Sequence, residues 1–426
     1  MKEIRYLVIG AGISGLTFAK YLDDPSECII LEKNCKIGGY CQTNTSQGFI
    51  WDYAGHFFHF KTKEFRDLFL KYISENERVY NIKNTKIYLK GKHIDYPFQT
   101  HIQQLDKDDL IDCIYGLFNH EQLEQKDFLS MLYANYGQGI VELFLKPYNE
   151  KLYACDLNLL DLDAMGRFFP AADKSTIVRS LKEPVNQSYN NDFWYPKKGA
   201  QHFLNLIYED LLQKKGEVHL NEEVLHIDEK NHLLYSDKEV YKFEYLINTM
   251  PLNNFIGMLT APLMKDEDFS YNQVLVFNIG FQKDIKDNSP YKNVHWVYIP
   301  NKEFNFYRVG FYNNILHENR MSLYVELGFA KGEEIDVEKE FKQVIEGLKK
   351  MEIIVDNEIS VYETLVMAPA YVHICKDSQM KIDEQIKLWT TLNIFSIGRY
   401  GKWTYCSMED CMLESKSLAK KISTGV

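Results

Sequence analysis

The sequence predicts a mixed α/β chain (α+β overall) in which a parallel, nucleotide-binding-type unit carries a helical insert and an antiparallel or mixed sheet. Three observations predict it. The opening RYLVIGAGISGLTFAKYL passes from an apolar β-branched run into a glycine turn and then a helical run. The stretch from 100 to 165 has apolar residues at i, i+3, i+4 and i+7, the period of amphipathic helices. Residues 270–330 alternate aromatic and aliphatic residues with polar ones, as VLVFNIGF, HWVYIP, FNFYRVGFY and SLYVELGF, the period of sheet strands.

Taken in order, Tyr6–Ile9 reads as a first strand, and Gly10, Gly12 and Gly15 form G-x-G-x-x-G. Gly10 permits a tight turn, Gly12 lets backbone approach a pyrophosphate, and Gly15 lets the helix from Leu16 sit close on the sheet. The helix N-terminus then faces the anion. CIILE is a second strand ending in Glu32, placed to accept hydrogen bonds from ribose hydroxyls and to favour a free 2′-OH over a phosphate. Lys33 beside it softens that preference. KIGGYC follows, and its Gly38-Gly39 either continues a phosphate site or makes a plain turn.

Further on, DKDDLIDCIYGLFN and DFLSMLYANYGQGIVELFL open on Asp106 and Asp127, acids suited to helix N-termini. FWYPKKGAQHFLNLIYEDLLQ reads as strand, turn at Gly199 and helix; 217–248 reads as a β-meander returning to a buried strand, Tyr245–Asn248. A helix is expected over Val337–Met351, and NIFSIGRYGKWTYCSMEDCMLESKSLAKKI as strand, glycine turn and final helix. The expected division is a discontinuous first domain (1–95, 200–260, 385–426), a mainly helical insert (96–199) and a sheet domain with a helix (261–384).

Composition bounds the function. The 426 residues are 45% hydrophobic and 26% charged, with 49 Lys+Arg against 60 Asp+Glu, a net charge of −11. That balance argues against general affinity for nucleic acid or anionic membranes, and an anionic substrate would need a local positive patch. No apolar run reaches membrane-spanning length, and the start lacks a signal-peptide pattern, so a cytoplasmic protein without membrane insertion is expected. The eight cysteines show no CxxC pair, which points to free thiols and no metal site.

The segments GAGISGL, GGYCQT…GFIWDYAGHFFHF, DYPFQTHIQQL, FLKPYNEKLYA, FYR and GRYGKWTY, in this order, resemble the UDP-galactopyranose mutases over nearly the whole length. The glycine doublet resembles the flavoprotein pattern, which moves the cofactor from NAD to FAD. The resemblance implies an FAD-dependent isomerase of glycan biosynthesis that interconverts pyranose and furanose forms of a nucleotide-diphosphate sugar, UDP-galactose first, through a flavin N5–sugar adduct on reduced flavin. NAD(P)H as external reductant and a homo-oligomer are both compatible with it. An FAD oxidoreductase of the amine-oxidase, desaturase or protoporphyrinogen-oxidase type fits the glycine signals equally well.

The resemblance also implies roles. Tyr96, Phe98 and Gln99 of YPFQ would hold the uracil ring by stacking and an amide contact; core aromatics ahead of a helix is the other reading. Asn149 and Tyr153 would line the same pocket. Arg167 and Arg308 would contact the pyrophosphate as catalytic cations, since a guanidinium is a planar, permanently charged fork; each could instead sit in a buried salt bridge. Tyr298, Tyr371 and Tyr405 would hydrogen-bond the phosphates, and Asn190 would reach the substrate. His56 would lie beside the flavin ring, unless it is a satisfied core histidine. Val224 would meet the adenine through its backbone, or be a plain strand valine, and Gly398, Arg399 and Gly401 would pass the flavin and its pyrophosphate. Departures from the pattern are Ala54-Gly55 for Gly-Gly, a short KKGA loop after FWYP, and Thr404 for an arginine.

Overall fold

The structure is a computed structural model that describes residues 1–119, 124–183, 191–286, 288–355 and 357–424. Asn190 lies outside the described residues.

Two seven-stranded sheets organise the chain. In the first, Lys2–Ile9 pairs in parallel with Cys28–Glu32 on one side and with Val240–Asn248 on the other. Glu217–Leu220 extends it beyond Cys28–Glu32, and Ile394–Ser396 joins in parallel at Leu246–Asn248. Val224–Asp228 and Leu233–Ser236 complete the meander in antiparallel register. The central strands are buried on both faces, which is why Leu7–Ile9 and Ile29–Leu31 are continuous apolar runs rather than alternating ones. Helices Ile13–Lys20, Gln201–Gln213 and Met408–Ser423 pack on one face, sharing a core of Val8, Leu16, Phe18, Phe203, Ile207 and Met412.

The second sheet centres on two long antiparallel strands, Asn272–Asp284 and Arg320–Ala330. Ile359–Met367 flanks one side; Arg308–Phe311 and Trp296–Tyr298 flank the other. Thr85–Leu89 and Lys92–Asp95, expected with the first unit, pair here instead, Thr85–Ile87 lying parallel to Trp296–Tyr298. Their alternating burial explains it: Ile87, Leu89 and Ile94 turn one face into the core beneath the helical insert.

The insert holds helices Lys107–Phe118 and Phe128–Ile140, the latter capped by Asp127, whose carboxylate accepts the Ser130 amide. A π-helical turn at Val141–Leu145 then leads into Lys146–Tyr153. Such turns displace the helix face locally, and this one turns Phe144 and Leu145 toward the space between insert and sheets. Helices Lys63–Tyr72 and Lys376–Thr390 were not expected from sequence. Among the described residues, no helix is long and apolar enough to cross a membrane.

Candidate functional site

A cavity of about 920 Å³ runs from the strand ends of the first sheet to the inner face of the second, roofed by the insert. Its first end is built by backbone. Gly10 has φ +100, a conformation that disfavours a side chain, and its N–H donates to the Leu31 carbonyl at 2.8 Å. A Cβ on Gly39 would sit 3.5 Å from the Gly12 Cα, so the two glycine turns face each other with no side chain between them. Gly38 donates to Ala11 O at 2.9 Å, clamping the second turn on the first. Gly15 is not in the wall: a Cβ there would overlap the Gly10 carbonyl, so its absence lets the helix approach the strand.

Glu32 lines this end and also organises it. One carboxylate oxygen accepts the Ala11 N–H at 3.0 Å; the other accepts the Asn34 N–H and Nδ2, each at 2.9 Å. Val224, Glu222, Glu223, Met250 and Pro251 complete the end. A narrow, glycine-lined groove at a helix N-terminus, closed by a strand-end acid, fits the pyrophosphate and ribose of a dinucleotide.

The second end is built by side chains. Tyr96, Phe144, Tyr148 and Tyr298 form an aromatic box: Tyr96–Tyr298 centroids are 4.9 Å apart, Phe144 stacks on Tyr148 at 5.3 Å, and Tyr148 meets Tyr298 edge-on at 5.2 Å. Burial holds the Tyr96, Tyr148 and Tyr298 hydroxyls above the ordinary tyrosine range, so they are donors at neutral pH. Tyr371 and Tyr405 stack at 5.9 Å, with the Arg399 guanidinium 5.2 Å and 4.4 Å from their ring centres.

Two arginines line the cavity in opposite electrostatic states. Arg308 stands across from Glu326 in the antiparallel register, and its Nε and Nη2 bind both carboxylate oxygens at 2.6–3.0 Å. Glu326 is 1% exposed and also accepts the Tyr307 hydroxyl at 2.7 Å. Arg308 is therefore both a salt-bridge member and a wall residue. No carboxylate pairs with Arg399 among the described residues; Nη2 reaches Ala370 O at 3.4 Å, and its buried Nε has no partner. A buried guanidinium without an acid is costly unless an anion arrives.

His56 lines the cavity, and its Nδ1–H donates to Ala54 O at 2.9 Å. Burial, with smaller contributions from Arg399 and Arg308, pushes it down to about 4, so the ring is neutral and presents Nε2 as an acceptor.

The structure does not bring every expected residue to the wall. Arg167 lies on a short 3₁₀ turn, half exposed, and pairs with Asp410. Phe98 is buried one layer behind, stacked on Phe144 at 5.1 Å, because the chain turns its aromatics to opposite sides of Pro97. Gln99 is fully buried and donates to Pro170 O at 2.6 Å, leaving Oε1 unpaired. Tyr153 is buried, with its hydroxyl unpaired. Asn149 does line the cavity; its Nδ2 donates to Leu145 O at 2.6 Å and its Oδ1 is unpaired. Gly398 has φ +79 and donates to Glu414 at 2.7 Å behind the wall, beside Gly401.

Sequence reading missed several wall residues. Phe144, Leu145 and Tyr148 sat in the quoted FLKPYN, but helical spacing could not show that a π turn faces them inward. Trp296 stacks on Phe57 at 5.2 Å with its indole N–H unpaired. Lys83 lies 5.5 Å from the Tyr96 ring centre, and burial pushes it down to about 8.

Residues 8–72 match the family model described as an NAD(P)-binding Rossmann-like domain. Across the whole chain the structure is similar to a reduced UDP-galactopyranose mutase, with a TM-score of 0.90, 20% identity and coverage of 99% of this chain and 94% of that one. It is similar, less closely, to a putative protoporphyrinogen oxidase from Exiguobacterium sp. 255-15 (TM-score 0.77, 17% identity, 99% of each chain). A putrescine oxidase redesigned in cofactor binding follows, at TM-score 0.68 and 14% identity over 99% of each chain. The chain has the fold of this group of flavoprotein mutases and oxidases: a Rossmann-like unit joined to a second, separate sheet.

Proposed function

We propose that the protein is an FAD-dependent mutase that interconverts the pyranose and furanose forms of a nucleotide-diphosphate sugar, with UDP-galactose as the leading candidate. The carrying observation is the second end of the cavity, where an aromatic box, donor tyrosines and the unneutralised Arg399 converge. Uncharged amine or porphyrinogen substrates call for no such cation; a diphosphate does.

FAD fits the first end: glycine backbone for the pyrophosphate, Glu32 for a ribose, Val224 backbone for the adenine. When bound in reduced form, it supplies a nucleophilic centre for the sugar's anomeric carbon. Everything else falls to side chains. Tyr96, Phe144 and Tyr148 grip the base. Tyr298, Tyr371 and Tyr405 donate to phosphate oxygens. Arg399, and Arg308 held rigid by Glu326, stabilise negative charge as the sugar–phosphate bond breaks and hold the diphosphate until it returns. His56, neutral, accepts a hydrogen bond without adding charge. Arg167 joins the diphosphate by exchanging Asp410 for it. The division into 1–95, 200–260 and 385–426, with 96–199 and 261–384 on the substrate side, belongs to the same reading, with 85–95 moved to the second sheet.

The test is direct. The purified protein is reduced with dithionite under nitrogen and given UDP-galactofuranose. Formation of UDP-galactose only with reduced cofactor, without net use of reductant, is expected. Oxygen-consuming turnover of an amine or porphyrinogen, with no sugar interconversion, overturns the reading.

A further inference from the structure

Eight cysteines are spread along the chain, yet two of them meet in the cavity wall. Cys406 closes the loop after Tyr405, and Cys411 lies in the first turns of the helix Met408–Ser423; their sulfurs are 3.5 Å apart. Cys406 is partly exposed toward the cavity, whereas Cys411 is only 5% exposed. The Cys411 sulfur is unusually well supplied with donors. The Cys406 S–H, the Arg399 backbone N–H and the Ser14 hydroxyl all favour its thiolate and hold it below the ordinary thiol range. Cys406, giving that hydrogen bond, is held above it. The third nearby thiol, Cys41, is engaged with Met408 at 3.6 Å, and burial keeps it protonated.

We propose that Cys406 and Cys411 are a redox-active dithiol that closes to a disulfide in the cavity wall on meeting a small-molecule disulfide, and reopens with excess thiol. The sulfurs need approach by about 1.5 Å to reach bonding distance. The reachable Cys406 attacks the incoming R–S–S–R. A Cys406–S–S–R bond forms, and the other half leaves as R–SH with the Cys406 proton. Cys411 then attacks the Cys406 sulfur, and the second R–S⁻ departs, taking the Cys411 proton. Two thiols become one disulfide, and one R–S–S–R becomes two R–SH. The pair stands whichever reaction the cavity serves.

The test uses the wild-type protein with its cofactor. It is incubated with glutathione disulfide, alkylated and digested with trypsin without reductant. The peptide Trp403–Lys416 contains both cysteines and no others. The expected result is that peptide lighter by two hydrogens and resistant to alkylation, restored by dithiothreitol, while exposed Cys35 carries glutathione. In Cys411→Ser, glutathione should remain trapped on Cys406. Overturning results are a Trp403–Lys416 peptide still fully alkylated once Cys35 is modified, one carrying glutathione in the wild type, or one cross-linked to the Cys41 peptide.

Discussion

The two ends of the cavity are made by different means. At the first, function is carried by what is missing: Gly10, Gly12, Gly38 and Gly39 present backbone to a ligand, and the shape follows from some thirty consecutive residues. At the second, function is carried by large side chains from separated segments: Tyr96, Tyr148, Trp296, Arg308, Tyr371 and Arg399. The charge divides likewise. The carboxylates in the wall, Glu32, Glu222 and Glu223, all stand at the first end, and Arg308 and Arg399 stand at the second. A local turn tolerates almost no substitution, whereas a wall assembled from afar can change one ligand contact at a time.

The largest expected effect tests the first end. Gly15→Val drives a branched side chain into the Gly10 carbonyl. It should cost about 3 kcal/mol or more, seen as a lower denaturant midpoint and loss of bound FAD. Next comes Arg308→Ala, which strands Glu326 as a buried carboxylate and should cost about 3 kcal/mol. Adding Glu326→Gln should return most of the stability but no mutase turnover, separating the structural share of the pair from the electrostatic one. Arg399→Ala, which strands no acid, should leave FAD bound and lower kcat/KM about 100-fold, roughly the effect of removing one donor to a developing anion.

A smaller, global effect follows from pH. Burial pushes His56, His59, His295 and His373 down to about 4 from 6.5. Between those values the unfolded chain binds protons that the native chain refuses, so stability is present above 6.5 and lost as pH falls toward 4. Asp52, pushed up to about 7 by burial, acts oppositely: its contribution falls as pH rises from 3.8 to 7. Four histidines outweigh one acid, so chemical-denaturation midpoints should drop from pH 7 to pH 5, and Asp52→Asn should steepen the drop. The smallest effect is expected of Arg167→Ala, whose exposed pair with Asp410 should contribute under about 1 kcal/mol to stability.

The same contrast explains what was legible. Cys28–Glu32 falls where its residues said, because strand, turn and strand are set by neighbours in sequence. The second sheet was visible as alternation, but not that Thr85–Asp95 would join it, since pairing partners some two hundred residues away leave no local trace. The helix Lys376–Thr390 was missed because KDSQMKIDEQIKLWT offers few apolar positions beyond Ile382 and Trp389. At the site, resemblance singled out Tyr96 and Phe98 alike, yet one faces the cavity and the other the core. Lys83 had no motif to announce it; only the folded chain sets it beside Tyr96.

The order in which the chain visits its sheets has a mechanical consequence. It leaves the first after Glu32 for Thr85–Asp95, returns for Glu217–Asn248, leaves again for Asn272–Met367 and comes back at Ile394. Four covalent tethers thus bridge the two halves, and bodies stitched together at four points cannot swing apart like a clam shell. Admission of a bulky guest must come from the roof, by shifts of the segment around Arg167, and a protease that nicks one tether should leave the halves clasped rather than release two fragments.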